Sequence, residues 1–501
     1  ALDDAPAGDR VVLGAGFETA KKISIDFAVM ERTDRASVIP GAFGWSDVGA
    51  WDAVRDLGRE IGRGDAFGNV LPESAIAVGA SGVLAIAPEG VTVAAIGVRD
   101  LAIVASRDAL LVCNLADAQS VKTAAQLASE RAPAPFARLQ GAARWYGDWI
   151  RTAALPQAWG LSADAENGGF HECLDVEGAP IDKPRRLRVQ ARQTWVFAEA
   201  VRAGLPGAWR AAASHGARRI REAYVRPDGF LRFSVTPQGA RADDSARLYE
   251  QAFGLLTLSS LQAVGLHGFV SDDPRAEARA FYDRLQAWRD AAGGYLEQDG
   301  CRRQANANMH LFEALLAWAE IDADGPWARA AGELGRFALD RFYDARAGLL
   351  REFFDDDWRP APGEDGRLVE PGHQFEWAWL FRRWRDLGGP VEAEEAARAL
   401  YASGLSGVDP RRGVAVDALN DDRSLRDATA RLWPQTERLR AALRFGDEAE
   451  ALAAINGLKG YVRAIGWYDR LDARGRFIDE PAPMSSLYHL FGAFLELQKS
   501  A

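Results

Sequence analysis

The chain has 501 residues, 48% of them hydrophobic and 26% charged, which excludes a disordered chain. Its formal net charge of -11 argues against a nucleic-acid partner, and no apolar run reaches the roughly 18 residues of a membrane-spanning helix. Three cysteines, Cys113, Cys173 and Cys301, form neither a metal spacing nor a disulfide framework, as expected of a protein in a reducing cytoplasm.

In chain order, the first 130 residues alternate Ile, Val and Ala with Gly. Short strands are expected at 70–71, 75–78, 83–87, 91–96 and 101–104, with Gly or Asp turns between them. A single helix over 116–130 follows, and 131–137, with two prolines, reads as a linker. Residues 1–130 are therefore expected to form a small β-rich domain, and 138–501 a separate one.

Beyond the linker the strand signal largely vanishes. Twelve stretches carry helical apolar spacing, at about 139–154, 188–203, 208–224, 246–264, 273–289, 307–321, 325–342, 373–387, 391–404, 426–443, 447–463 and 485–498. Short and long connections alternate between them. The long ones repeat a Gly-aromatic or Gly-apolar signal: Gly168-Gly-Phe170, Asp228-Gly-Phe230, Gly293-Gly-Tyr295, Gly348-Leu-Leu350 and Gly475-Arg-Phe477. Where adjacent, these signals recur at roughly 55–65 residues, the length of a helical hairpin and its loop. Six such hairpins predict a mainly α fold, an (α/α)6 barrel with alternate helices in an inner ring; an open solenoid is the competing architecture.

The even-numbered helices share a second pattern, a polar residue followed two positions later by an aromatic: Gln193/Trp195, Gln251/Phe253, His310/Phe312, His373/Phe375 and His489/Phe491. The helix at 426–443 departs from it with Trp433-Pro-Gln-Thr-Glu437. Three of the six histidines are thus expected in first turns of inner helices, at one shared barrel mouth. Glu313 and Glu376 each follow a histidine by three residues and share its helix face.

Imidazoles near neutral pH suit proton transfer on a carbon beside a carbonyl, with Arg192 against the enediolate charge and Glu313 fixing a tautomer. The His–Glu pairs have the residue types of a metal site, but this chemistry needs no metal, and no cofactor is expected. A glycosidase using Glu313 and Glu376 is the alternative.

Residues from about 140 to 499 resemble the N-acylglucosamine 2-epimerase family, especially its mannose or mannose-6-phosphate isomerase-like branch. The motifs are Gly168-Gly-Phe-His-Glu172, Arg185-Arg-Leu-Arg-Val-Gln-Ala-Arg-Gln193, Asn306-Ala-Asn-Met-His-Leu-Phe-Glu-Ala314, Glu370-Pro-Gly-His-Gln-Phe-Glu-Trp377, Leu432-Trp-Pro-Gln-Thr-Glu437 and Ser485-Ser-Leu-Tyr-His489. The resemblance implies an (α/α)6 barrel and metal-free isomerisation or 2-epimerisation of a sugar or sugar phosphate. It also implies His310 and His489 as catalytic histidines, with Glu313 beside the proton-transfer site. Arg192, Gln251, His373, Glu376, Trp433 and Glu437 are then expected to bind substrate. Many family members carry His where this chain has Gln251, a change that keeps a hydrogen bond and loses proton transfer. A basic cluster, Lys183, Arg185, Arg186 and Arg188, precedes Arg192 and is a candidate phosphate site. Homo-oligomerisation is left open.

The N-terminal portion has its own resemblance. Ser24-Ile-Asp-Phe-Ala-Val-Met-Glu-Arg-Thr33 and Gly44-Trp-Ser-Asp-Val-Gly-Ala-Trp51 are similar to the C-terminal part of mannose-1-phosphate guanylyltransferases, with a β-helix-like tail. The resemblance puts Asp47 at a nucleotide–metal site, relevant only with an upstream nucleotidyltransferase half. The phosphate-cradling Gly-rich segment belongs upstream of residue 1 in that pattern, so this portion is read as structural.

Overall fold

A computed structural model describes residues 21, 23–37, 46–88, 90–106, 109–129, 135–297 and 303–500. Cys301 and residues 131–134 of the expected linker lie outside the described residues. The chain divides into two compact units, Ala1–Gln126 and Leu127–Ala501.

In the smaller unit, strands β1 (Ile76–Val78) and β3 (Ala94–Ile96) pair in parallel, as do β2 (Leu84–Ile86) and β4 (Leu101–Ala105). Ile76 meets Ala94, Ser81 meets Arg99 and Leu84 meets Ala102, so one β-helical coil takes 18 residues. Antiparallel β5 (Leu110–Asn114) closes the stack against β4. Buried Asn69 ties adjacent coils: its amide accepts from Val83 N–H at 2.9 Å and donates to the Ala80 carbonyl at 3.1 Å.

A helix the composition did not signal, α1 (Trp51–Glu60), sets Trp51 and Val54 against Leu84, Ala102 and Leu115. Its apolar residues recur at helical spacing, but the run is too short to stand out from the neighbouring strands. The expected helix after the strands begins as a 3-10 turn, Leu115–Ser120, and continues as α2 (Val121–Ser129).

The larger unit is the twelve-helix barrel. Its first outer helix runs as α3 (Leu139–Trp149), a π turn (Ile150–Ala154) and α4 (Leu155–Ser162). The inner ring is α5 (Leu187–Arg202), α7 (Leu248–Ala263), α9 (Ala305–Ala319), α11 (Pro371–Asp386), α13 (Leu432–Phe445) and α15 (Leu487–Ser500). The outer ring is completed by α6 (Trp209–Arg219), α8 (Pro274–Leu285), α10 (Trp327–Arg341), α12 (Val391–Leu405) and α14 (Glu448–Lys459).

Each inner helix packs on the next, and α15 returns to α5, so the array closes and the solenoid is excluded. The closing seam also joins distant segments directly: Tyr146 Oη donates to the Leu490 carbonyl at 2.8 Å, and the Asn456 amide brackets the backbone of Phe136.

Sequence pattern separates the rings. In α7, Leu248 and every residue from Glu250 to Leu261 are buried, as a helix walled on all sides requires. In α6 only one stripe, Trp209, Ala212, Ala213, Gly216, Ala217 and Arg219, is buried. The expected start at 426 is corrected: Leu425–Asp427 and Ala430–Arg431 are strands paired with Ala418–Asn420 and Arg470–Leu471, and α13 begins at Leu432. Long loops return the chain to the inner helices, and short strand pairing satisfies their backbone.

The repeated Gly signal has a structural partner. The fourth residue of five inner helices is an amide side chain that clamps the preceding loop by both backbone groups of one residue. Gln190 clamps Phe170, Gln251 clamps Leu231, Asn308 clamps Tyr295, Gln374 clamps Leu350 and Gln435 clamps Ala415, all at 2.7–3.0 Å. The clamped residue follows closely on a glycine in the left-handed region, such as Gly348 (φ 66°) and Gly413 (φ 69°). In α15 the fourth residue is Leu490, whose carbonyl takes the Tyr146 hydroxyl instead.

Candidate active site

The N-terminal turns of the inner helices surround a cavity of about 420 Å³. Arg188 and Arg192 come from α5, Tyr249 and Glu250 from α7, Asn306 and His310 from α9, His373 and Glu376 from α11, Trp433 from α13 and His489 from α15. Among the described residues, the larger groove at the other end, near Arg138, Arg144 and Leu443, contains none of these groups.

The three histidines are not at equivalent helix positions, contrary to the expectation from the polar-aromatic pattern. His373 and His489 are the third residues of their helices, whereas His310 is the sixth of α9 and lies in the second turn. The sixth-position layer is Arg192, Phe253, His310, Glu376 and Glu437, with Gly492 in α15. Gln193 and Gln251 occupy the seventh and fourth positions, so the i, i+2 pattern grouped residues of different depth.

His310 is 2% exposed, and its Nδ1 stands 3.2 Å from Glu313 Oε2. His489 is 5% exposed, with Nδ1 2.8 Å from Glu437 Oε1. Since each Nδ1 faces a buried carboxylate, Nε2 is the ring nitrogen left for the cavity. Burial holds the His310 pKa down at about 4 against the opposing pull of Glu313. Burial, Arg192 and Arg440 hold His489 well below the usual imidazole range. Both are neutral bases near pH 7.

His373 is the opposite case. Its Nδ1 lies 2.9 Å from Glu352 Oε2 and 3.7 Å from Glu370 Oε2. Burial lowers its pKa, but Glu352 and Glu370 outweigh that and raise it to about 9, so it is an imidazolium at neutral pH. The Trp433 indole sits between His373 (5.0 Å) and His489 (5.6 Å).

Glu313 and Glu437 do not line the cavity. Glu313 also accepts from Tyr488 Oη at 2.5 Å, and Glu437 accepts from Arg440 Nη1 at 2.7 Å. Glu437, expected to bind substrate, instead orients His489. Glu376 does line the cavity, and its Oε1 has no hydrogen-bond partner among the described residues. Burial, with the charges of Glu437 and Glu313, pushes its pKa well above the usual carboxyl value.

With Glu313 committed behind His310, Glu313 and Glu376 do not flank the cavity as a glycosidase pair. His310, Glu313 and Glu376 bring ligand atoms within 4.8 Å of one another, as do Glu376, Glu437 and His489. Either set has residue types able to hold a cation.

Other expectations divide. Arg192 lines the cavity, donates from Nη2 to Tyr249 Oη at 2.7 Å, and has no carboxylate within 4 Å among the described residues. Gln251 is corrected: its amide is used on Leu231 and the Arg247 carbonyl, and the fully buried side chain does not line the cavity. The basic cluster splits as well. Lys183 is exposed outside the cavity, and Arg185 is buried on Asp164 at 2.6 Å, while Arg186 and Arg188 line the mouth. Adjacent residues of the strand Arg185–Arg186 point to opposite sides, which separates the pair. Asp47 is exposed in the smaller unit, where its carboxylate accepts only from Gly49 N–H at 3.4 Å among the described residues.

Sequence reasoning missed Arg440, Tyr488, Tyr249 and Glu352. Glu437 and Arg440 stand three apart on one helix face, the same spacing that exposed the His310–Glu313 pair, so the signal was there. Glu352 comes from a loop and had none.

The family model for N-acylglucosamine 2-epimerase (GlcNAc 2-epimerase) matches residues 168–493, and that for a MannoseP isomerase/GMP-like beta-helix domain matches 73–126. A mannose-6-phosphate isomerase of Rhizobium meliloti (strain 1021) is 42% identical over 374 residues, 70% of this chain and 95% of its own. A mannose-1-phosphate guanylyltransferase of Salmonella montevideo is 42% identical over 99 residues, and this chain spans only 20% of its length. The solved structure of cellobiose 2-epimerase from Bacillus thermoamylovorans shares the barrel, with a TM-score of 0.64 at 19% identity over 71% of this chain and 99% of its own. On a family match over most of the barrel and a relative aligned along nearly its whole length, the chain belongs to the N-acylglucosamine 2-epimerase family and is a sugar-processing enzyme of the isomerase class.

Proposed function

We propose that the site interconverts mannose 6-phosphate and fructose 6-phosphate through a cis-enediolate. The observation that supports this most directly is the pair of neutral imidazoles, each held by Nδ1 on a buried glutamate and presenting Nε2 to one cavity. His489 takes the C2 proton of the open-chain aldose. The electrons of that bond form the C1–C2 double bond, and the charge moves to O1 beside Arg192. The O2 proton passes to O1, and return of the abstracted proton to C1 completes the ketose. If the abstracted proton instead passes from His489 to His310 Nε2 and returns from that side to C2, the epimer forms, so the two activities differ in where one proton is delivered.

Cationic His373 donates to a sugar oxygen, Glu376 hydrogen-bonds a sugar hydroxyl, and Trp433 covers one face of the ring. The phosphate reading rests on the relative's name together with the mouth arginines. Arg186 engages Glu172 through Nε and Nη2, and Arg188 engages Glu250 the same way, leaving each Nη1 edge for an anion. The smaller unit, with Asp47 exposed, is given a structural role.

The test is NMR of free and phosphorylated hexoses in heavy water. Deuterium entering C1 of the ketose and C2 of the aldose is expected, and it should persist after prolonged chelation. Turnover without exchange at either carbon would sink the enediolate, and loss of rate restored by a divalent ion would point to the His–Glu groups as metal ligands.

A further inference from the structure

The two histidines are held by carboxylates from different helices, yet those carboxylates meet at one guanidinium. Arg440 on α13 is 4% exposed and does not line the cavity. Its Nη1 donates to Glu437 Oε2 at 2.7 Å, and its Nη2 lies 3.8 Å from Glu313 Oε1. Each glutamate turns its other oxygen to an imidazole, Glu437 to His489 and Glu313 to His310. The groups therefore form one line: His310, Glu313, Arg440, Glu437, His489.

The guanidinium is walled as well as bonded. Its Cζ sits 3.8 Å over the Trp379 ring, and a Cβ at Gly492 would stand 3.5 Å from it. Glycine in the sixth position of α15 leaves that side of the ring layer open to the planar fork. A planar five-donor group can serve two carboxylates at once, which an ammonium on a flexible stem does poorly.

We infer that Arg440 is a positioning residue for both acid–base histidines at once, setting through Glu313 and Glu437 which ring nitrogen each imidazole presents to the cavity. This rests on the reading of the two histidines given above. The charged and titratable groups around it are His310 and Glu313 from α9, Glu376 and Arg383 from α11, Glu437 from α13, Tyr488 and His489 from α15, and Arg192 from α5. Three of them are buried carboxyls. Removing the one guanidinium that touches two of these favours proton uptake by Glu313 and Glu437. Removing a cation near the imidazoles favours proton uptake there too. Both effects have the same sign, so the acid limb of the rate profile moves to higher pH.

The test compares the full-length wild type with Arg440→Gln and Arg440→Lys. With six histidines in the chain, side-chain 15N NMR resolves the two of interest. In wild type both should be neutral, protonated on Nδ1, at pH 7. In Arg440→Gln they should lose that single tautomer and titrate about one pH unit higher. Its kcat should fall about 10²-fold with KM within about threefold, and its acid limb should rise. Arg440→Lys should restore the limb but not the full kcat. Unchanged tautomers and titration in Arg440→Gln overturn the inference. If that variant does not fold, Arg440→Lys decides: a single Nδ1–H tautomer and full kcat overturn it. NMR changes as expected in a wild type that exchanges no sugar proton would overturn the isomerase reading and leave the positioning role standing.

Discussion

Three histidines share one cavity and differ in charge, and the difference is set by what lies behind each ring. His310→Ala and His489→Ala should each lower kcat by about 10²–10⁴-fold with an unchanged far-UV spectrum; either variant near wild-type rate would remove that residue from the chemistry. His373 should act through its charge. A group whose pKa is raised on folding, here to about 9, lends stability that is complete below the unfolded imidazole value and lost as pH rises through about 9. Both kcat/KM and the melting temperature should therefore fall on the alkaline side near pH 9, and His373→Asn should abolish that limb. The two neighbouring arginines should separate in the same way. Arg186→Ala should raise KM for mannose 6-phosphate about 10-fold and leave free mannose nearly unchanged, the loss of one charge-assisted contact. Arg185→Ala, which leaves Asp164 only its bonds from Glu166 and Asn167, should cost roughly 1–3 kcal/mol of stability, seen in denaturant unfolding, without a KM change. At this scale the sequence announced the reactive residues, because histidine is rare here and its neighbours follow at helical spacing. It did not announce depth: His373 and His310 sit in similar motifs, yet one is held by a loop carboxylate 21 residues upstream and the other by its own helix.

Among the elements, the amide clamps connect each long loop to the helix after it. Gln251 was expected on a sugar from the family resemblance of its motif, and it proves to be one of five equivalent stitches. Gln251→Ala leaves the Leu231 N–H and carbonyl buried and unmet, which costs about 1–3 kcal/mol for each group. The expected outcome is a lower unfolding midpoint in urea with sugar KM unchanged; a KM rise without a stability loss would return Gln251 to the substrate. The stitches were present in the sequence as an amide following four of the five Gly signals, and Gly413, by a short, variable interval. The interval ranges from 13 to 24 residues, so no fixed repeat drew attention to it. Helix limits were legible wherever the apolar stripe was long, and failed at 426–431, where a short sheet needed residues that also fit a helix.

For the molecule as a whole, the two units have separate hydrophobic clusters, Ala80, Val83 and Ala95 among them in the smaller one and a single large core in the barrel. Among the described residues, the cavity is lined by residues from 186 to 489 alone. Calorimetry is expected to show two transitions, of which added sugar phosphate raises only the barrel's; a common shift would mean the smaller unit takes part in binding. The division was legible because strand and helix periodicities differ so sharply on either side of the linker, and ring closure was inferable from six hairpins of nearly constant length. The closing seam itself has no sequence signature, since it joins Tyr146 to Leu490 across 344 residues, whereas every clamp spans 24 or fewer. That contrast bears on how the barrel forms in time. Five walls can assemble as local hairpins, each paying a small loop-closure entropy, and almost the whole long-range cost falls on one late event. A circular permutant of the barrel alone, with residue 500 joined to 138 and the chain opened in the Gly388-Gly-Pro390 turn, would make the old seam a local contact and hand the slow step to α11 and α12, changing the refolding rate while leaving the finished ring the same.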